Sequence, residues 1–155
     1  MLKIYNIFIV LLVVLISNLT TANILKIIDG DTIHIGKIKY RLYGIDAPEI
    51  KQECKRNNTK YLCGVEATKF LQSLIKDNES VSCVKKKIDR YKRIVAVCYY
   101  LNEDLGKLMV KNGWAIAYRK YSKDYIAEEN YAKENKLGIW QGKFIEPYKW
   151  RKKNK

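Results

Sequence analysis

The chain of 155 residues is 48% hydrophobic and 12% aromatic, which excludes a disordered tail and favours one compact domain. Thirty Lys and Arg stand against 16 Asp and Glu, and the formal net charge of +14 points to a polyanionic partner, either nucleic acid or an anionic membrane surface. With 8 Gly, 2 Pro and no self-similar period, the sequence is neither a collagen-like or Pro-rich linker protein nor a solenoid.

The first 22 residues have the pattern of a secretory signal peptide. Between Lys3 and Lys26 there is no charged residue, ten consecutive apolar residues occur, and small residues stand where a signal peptidase would cut. The alternative is an uncleaved anchor with transient membrane contact, although polar residues interrupt the apolar run before the ~20 residues that a span needs. We predict an exported protein, periplasmic or secreted, with residues 1–22 as signal, 23–142 as folded domain and 143–155 as a basic aromatic tail.

The folded part opens with three β-rich runs separated by turns at two glycines. The third run alternates apolar residues with basic ones, as in a half-buried sheet whose basic face is solvated. These features predict a meander of three strands. The runs cover residues 23–29, 31–35 and 37–45.

Helices and a hairpin follow the meander. Five apolar residues with helical spacing predict a helix over 64–76, and two apolar runs predict a hairpin with arms at 81–84 and 94–101. A short second helix precedes a third one, which Ser122 caps and which runs to Leu137 as a largely solvated helix. Because this order is incompatible with regular βαβ units, we predict an α+β domain built on a small barrel.

The four cysteines suit an oxidising compartment. None lies in a C-x-x-C pair, which favours disulfides over zinc ligation, and the remaining alternative is four reduced core cysteines. Three pairings are possible. Since Cys54 and Cys63 flank one loop while Cys83 and Cys98 lie in the two hairpin arms, we predict Cys54–Cys63 and Cys83–Cys98, each contributing about 3 kcal/mol.

Four carboxylates cluster in one stretch of this basic chain. Asp29, Asp31, Asp46 and Glu49 lie within 21 residues, with Arg41 among them. Carboxylate oxygens favour Ca²⁺ or Mg²⁺ over zinc. The alternative for Asp29-Gly30-Asp31 alone is an ordinary hairpin turn. The second acidic group, on a strand that can pair back against that turn, favours a metal site.

Three ordered motifs resemble the staphylococcal nuclease (thermonuclease) family. They are Asp-Gly-Asp-Thr at 29–32, Arg-Leu-Tyr-Gly-Ile-Asp-Ala-Pro-Glu at 41–49 and Asp-Arg-Tyr-Lys-Arg at 89–93. The resemblance implies a five-stranded OB-fold β-barrel with three helices, and a Ca²⁺-dependent phosphodiesterase that acts on DNA and RNA. The four cysteines resemble those of exported, cysteine-containing members.

The resemblance also implies a set of metal ligands. By motif position, Asp31 and Asp46 would bind Ca²⁺ through their carboxylates. Ala47 would supply its backbone carbonyl, at a position where the family more often has Thr. Since only the carbonyl oxygen is used, Ala47 is compatible with the metal site.

The remaining family roles concern water, phosphate and nucleotide. Glu49 corresponds to the carboxylate that orients or deprotonates the attacking water. Arg41 and Arg93 correspond to the two guanidinium groups on the phosphate, where each preorganised donor is worth roughly 3 kcal/mol. Lys92 stands where the family commonly has Gly. Tyr91 and Tyr118 match nucleotide-contacting positions, and Arg90 lies beside the first of them.

The sequence thus predicts an exported, metal-dependent nuclease with little sequence preference. Its partners would be DNA and RNA, and no obligate protein partner is evident. The main alternative is a catalytically silent OB-fold that only binds nucleic acid. A cationic protein for anionic envelope surfaces would explain the charge but not the acidic cluster.

Overall fold

The structure is a computed structural model that describes residues 24–77 and 80–154. The predicted signal peptide lies outside those residues, so its export role and the domain boundary at residue 23 stay predictions. Across the described part, no helix combines the length and the apolar character that a membrane span requires.

The strands of the described part form one large sheet and two small ones. In chain order they are β1 (Leu25–Asp29), β2 (Thr32–Ile35), β3 (Ile38–Leu42), β4 (Ile45–Asp46), β5 (Glu53–Arg56), β6 (Thr59–Leu62), β7 (Val81–Ile88), β8 (Ile94–Tyr100), β9 (Glu103–Asp104) and β10 (Ile116–Ala117). The main path is β1-β2-β3-β8-β7, in which only β3 and β8 are parallel, and β9 extends β8. This five-strand path is the arrangement of the predicted OB-fold barrel, with β1 and β7 at its two ends. The strands β4 and β10 pair with each other, as do β5 and β6.

Four α-helices accompany the sheets in residues 24–77 and 80–154. They are α1 (Cys63–Leu74), α2 (Leu105–Lys111), α3 (Ile126–Glu134) and α4 (Pro147–Lys153). The α+β fold is confirmed, and α1 to α3 correspond to the three predicted helices. The fourth lies in the segment predicted as a tail. Its first residue is proline, whose restricted φ suits the first helical position and whose missing N–H would have no partner there anyway.

The core lies between the sheet and the first two helices. Ala67 and Leu71 of α1 and Met109 of α2 are completely buried, together with Ile33 of β2. Partly buried residues at helical spacing, among them Phe70, pack on this cluster. The apolar face predicted for α1 is therefore confirmed.

Strand β3 differs from a half-solvated strand in how its burial changes along its length. Ile38 is 47% exposed, whereas Leu42 is only 2% exposed. Arg41 shares the basic face of the strand with Lys39, but its side chain is only 12% exposed. The strand enters the interior as it approaches β8, so its last basic residue becomes part of the molecule's acidic centre.

The third helix departs from the prediction at its start and on its inner face. It begins at Ile126, and Ser122 does not cap it, because the Ser122 hydroxyl instead accepts from the Asp124 N–H (3.0 Å) in a local turn. The prediction of a largely solvated helix is confirmed, since five of its nine residues are exposed and only two are buried. On its inner face, however, Glu129 is 1% exposed and accepts a hydrogen bond from the Ala117 N–H at 3.1 Å, so a carboxylate faces the interior beside the buried Ala132.

Both predicted disulfides are present, Cys54–Cys63 and Cys83–Cys98. The second joins directly opposite residues of β7 and β8. The first bridges the base of the β5–β6 hairpin, whose turn residues Asn57 and Asn58 both have positive φ. Asparagine tolerates that conformation better than most residues, which explains the tight turn. Two disulfides fit an oxidising compartment.

Candidate active site

Two acidic bends meet at the centre of the site. The first is the β1–β2 turn with Asp31, and the second is at the end of β4, where Asp46 is followed by Ala47. The carboxylate of Asp31 accepts a hydrogen bond from the Ala47 N–H at 2.9 Å, which ties one bend to the other. A Cβ added at Gly30 would lie 2.7 Å from the Ala47 Cβ, so only glycine allows this approach.

Arg41 links the two acids through its guanidinium group. Its Nη1 forms an ion pair with Asp31, and its Nη2 lies 3.0 Å from Asp46 Oδ1. The β2–β3 register places Arg41 opposite Thr32, immediately after the acidic turn. Sheet pairing therefore brings this arginine to both carboxylates.

Burial and mutual repulsion disfavour the charged forms of these acids. Burial, followed by the charge of Asp31, raises the pKa of Asp29 to about 7. The same two causes raise the pKa of Asp46 to about 6, although Arg151 and Arg41 act in the opposite direction. Within the described residues, Asp46 Oδ2 is buried and has no hydrogen-bond partner. A cation beside Asp46 would relieve both conditions.

The donor set fits a hard cation bound by few protein groups. No set of three His, Cys, Asp or Glu side chains in residues 24–77 and 80–154 is arranged to hold a metal ion. The carboxylates of Asp31 and Asp46 and the backbone carbonyl of Ala47 would instead supply three oxygen ligands, only two of them from side chains. Calcium and magnesium bind such oxygens and complete their coordination with water or substrate.

Glu49 lies at the edge of the same centre, where it meets a residue that sequence reasoning missed. Arg151 of α4 places Nη1 2.8 Å from Glu49 Oε1 and Nη2 2.8 Å from Asp46 Oδ1. Burial lowers the pKa of Arg151, but the charges and hydrogen bonds of these two acids raise it by more. The net shift is upward, so the guanidinium group stays cationic. Two features of the sequence indicate this helix. Pro147 is a typical first helical residue, and the i, i+3 spacing of Tyr148 and Arg151 places them on one face.

Arg93 approaches from the β7–β8 turn. The Asp89 carboxylate accepts a hydrogen bond from Arg93 Nε–H at 2.8 Å. Arg93 Nη1 lies 3.4 Å from the Thr32 hydroxyl, beside the first acidic bend. Lys92 has a φ of 61°, the left-handed conformation that glycine adopts most readily. The turn is nevertheless closed by a hydrogen bond from the Lys92 N–H to the Asp89 carbonyl at 3.0 Å.

A groove of about 1190 Å³ connects these groups with aromatic side chains. Tyr91 is 61% exposed and lies under the guanidinium groups of Arg90 and Arg93, 5.0 and 5.4 Å from its ring centre. Tyr118 stacks on Tyr148 with ring centres 6.0 Å apart. The structure thus brings the predicted catalytic and nucleotide-contacting residues to one surface. The residues lining that groove include Asp31, Arg41, Glu49, Arg90, Tyr91, Arg93, Tyr118, Tyr148 and Arg151.

Comparison with known proteins connects this arrangement to a family. Residues 39–142 match the family model described as "Staphylococcal nuclease homologue". An "Uncharacterized endonuclease" of Haemophilus influenzae is 36% identical over 143 residues, which cover 87% of this chain and 75% of that protein. A "Micrococcal nuclease" of Shigella flexneri is 33% identical over 85% of this chain and 80% of its own length.

A third relative has a name of another kind. The "Succinoglycan biosynthesis protein ExoI" of Rhizobium meliloti is 31% identical over 75% of this chain and 62% of its own length. The family match begins within β3 and ends at Gly142, so it covers the second acidic bend and the rest of the sheet from β3 onward, but neither the first acidic bend nor α4. With more than half of its residues matching the family model and the OB-fold strand path in place, this chain belongs to the staphylococcal nuclease homologue family.

Proposed function

We propose that this protein, a nuclease by its family, is a Ca²⁺-dependent phosphodiesterase that hydrolyses DNA and RNA with little sequence specificity. The observation that carries the proposal is the buried acidic pair, in which one oxygen of Asp46 has no hydrogen-bond partner among the residues that the structure describes. It lies beside two arginines at the edge of an aromatic groove. This combination suits a phosphodiester, which is an anion that needs cationic groups around it.

Each residue of the centre has a chemical task in this proposal. Asp31, Asp46 and the carbonyl of Ala47 would hold the ion, which when bound polarises a phosphate oxygen and offsets the charge that develops there. Arg41 and Arg93 would hydrogen-bond the other phosphate oxygens through their planar forks. Glu49 would orient the attacking water and accept its proton.

The groove supports binding that does not depend on base sequence. Tyr91 and Tyr118 would offer ring faces on which a base of any kind can stack, and Arg90 would add positive charge for the phosphate chain. Such contacts follow the backbone and the faces of the bases rather than their hydrogen-bonding edges. We further propose that the protein is exported, periplasmic or secreted, because its two disulfides are stable in an oxidising compartment.

The decisive experiment measures turnover and its metal dependence. The oxidised protein is incubated with denatured DNA or with RNA, in Ca²⁺ or in chelator, and acid-soluble product is followed. We expect product with Ca²⁺ and none with chelator. The variant Glu49→Gln should reduce kcat by about 10²- to 10⁴-fold, the range contributed by a positioned acid or base.

A matched variant tests whether this loss is specific. Glu134→Gln makes the same change at an exposed position of α3 and should leave kcat unchanged. Intact DNA with retained, salt-sensitive binding would instead identify a silent binding module. Hydrolysis that persists in chelator would refute the metal dependence while leaving the nuclease activity in place.

A further inference from the structure

The segment before α4 is anchored to the rest of the domain. The backbones of Lys55 and Lys143 are hydrogen-bonded in both directions, at 2.8 and 2.9 Å. The completely buried Gln52 donates its Nε2 to the Ile145 carbonyl at 2.7 Å. Because Gln52 follows the second acidic bend closely, these contacts fix where α4 begins relative to that bend.

Two side chains of α4, one helical turn apart, then reach the groove. Tyr148 stacks on Tyr118, which holds the first turn of the helix against the domain. Arg151 extends from the last turn and contacts Glu49 with one arm and Asp46 with the other, both at 2.8 Å. The guanidinium plane therefore spans the two ends of the second acidic bend.

Arg151 fixes the conformation of the Glu49 side chain. In residues 24–77 and 80–154, it is the only side chain that bonds the Glu49 carboxylate. The Glu49 side chain is 34% exposed, so without a partner its carboxylate would rotate among several rotamers. The Arg151 contact holds Oε1 and leaves Oε2 free of this arginine.

We propose that Arg151 is a positioning residue for Glu49 and thereby makes α4 part of the active site, an inference that rests on the proposed nuclease function. One planar fork sets the distance between the metal-binding carboxylate of Asp46 and the water-activating carboxylate of Glu49. It also offsets the repulsion between them. Lysine could neutralise one charge but could not bridge both oxygens with two fixed donors.

The test compares kcat and KM for Arg151→Ala and Arg151→Lys on denatured DNA with Ca²⁺. We expect Arg151→Ala to lower kcat by about 10²-fold, as misplaced catalytic groups commonly do. KM should change by less than about twofold, because both arms of Arg151 bond Glu49 and Asp46 rather than substrate. Arg151→Lys should recover only part of the loss. Millimolar guanidinium should restore turnover to Arg151→Ala but not to Glu49→Gln.

The control is Lys153→Ala, which removes one positive charge from an exposed position of the same helix and should leave kcat unchanged. Wild-type kcat in Arg151→Ala, or an increase in KM alone, would overturn the positioning role while the nuclease function stands. An inactive wild-type protein would refute the nuclease function itself. If Arg151→Ala does not fold, Arg151→Lys decides: wild-type kcat overturns the inference, and a reduced kcat with unchanged KM supports it.

Discussion

Gly30 determines how closely the two acidic bends approach each other. An added Cβ would meet the Cβ atoms of Ala47 and Ala67 at 2.7 and 3.1 Å, and neither atom can move without its backbone. The carboxylate of Asp31, one residue later, uses this approach to bond the Ala47 N–H. A glycine in a predicted hairpin turn thus serves a packing contact between segments that are distant in sequence.

The variant Gly30→Ala should therefore be destabilised and impaired in function. Forcing a methyl group into this contact typically costs about 1–3 kcal/mol, because the bends must separate. Urea unfolding measures the loss of stability, and calcium titration by calorimetry measures the accompanying loss of metal affinity. The double variant Gly30→Ala/Ala47→Gly should regain part of both, since it removes the opposing methyl group.

Gly106→Ala is the matched control for this change. A Cβ there would meet its nearest atoms at 3.3–3.5 Å in the first turn of α2, where alanine is also the better helix former. Its unfolding free energy should stay within about 1 kcal/mol of wild type. Equal effects of the two substitutions would show that the close approach at Gly30 is not what matters.

At the scale of elements, the β5–β6 hairpin connects the acidic centre to α4. The Cys54–Cys63 disulfide lies at the base of this hairpin. The backbone of Lys55, in β5, forms two hydrogen bonds with the backbone of Lys143 in the segment that leads to α4. The link consists of a disulfide and backbone hydrogen bonds, so it holds the segment before α4 in place without depending on side-chain charge. Loosening this hairpin should affect the active site through the C-terminal helix.

The double variant Cys54→Ser/Cys63→Ser should lose both stability and turnover. A disulfide that closes a short loop contributes about 3 kcal/mol, and its loss should also lower kcat of the folded protein because Arg151 is less well placed. Melting temperature and kcat, the latter measured well below the melting transition, separate the two effects. The measurement requires chemically oxidised wild-type protein as reference.

Cys83→Ala/Cys98→Ala serves as the comparison. This disulfide joins β7 to β8 across a sequence separation of 15, against 9 for Cys54–Cys63, and it lies outside the hairpin that pairs with the segment before α4. We expect a similar fall in melting temperature with kcat retained. If both double variants lose kcat equally, the hairpin has no special connection to the active site.

At the scale of the whole molecule, positive charge and aromatic rings occur together along the groove. The chain carries +14 overall, and Lys87 and Lys120 lie over the ring of Tyr121, 4.7 and 5.7 Å from its centre. A single strand of nucleic acid can place bases on such rings and phosphates on the ammonium groups. Binding should then depend strongly on salt and weakly on sequence.

The inactive variant Glu49→Gln allows binding to be measured without cleavage. For a single-stranded oligonucleotide, a slope of about 3 in log Kd against log salt concentration would correspond to four neutralised phosphates. Fluorescence anisotropy should give the same Kd for scrambled sequences. Lys87→Ala should reduce the slope by about 0.7, whereas Lys76→Ala, outside the groove, should leave it unchanged. A slope near zero would contradict groove binding.

Local features of the fold were predictable where neighbours in sequence decide the structure. The helical spacing in α1 identifies its buried face, and the two glycine turns divide the opening meander, because both depend on contacts within a few residues. The pairing of the cysteines was likewise open to prediction from the hairpin. The order of the acidic and basic motifs, read with the family resemblance, predicted the OB-fold.

Contacts between distant segments could be decided only by the tertiary structure. Arg151 meets residues 102 and 105 positions earlier, and no local periodicity carries such information. Glu129 likewise becomes a buried acceptor for the backbone of β10, against the solvated character of its own helix. By itself, the sequence determined the opening meander, the hairpin and the first three helices, together with the charges that they carry, but not α4. The packing of those elements decided which charges become neighbours, because burial and ion pairing depend on distance in space.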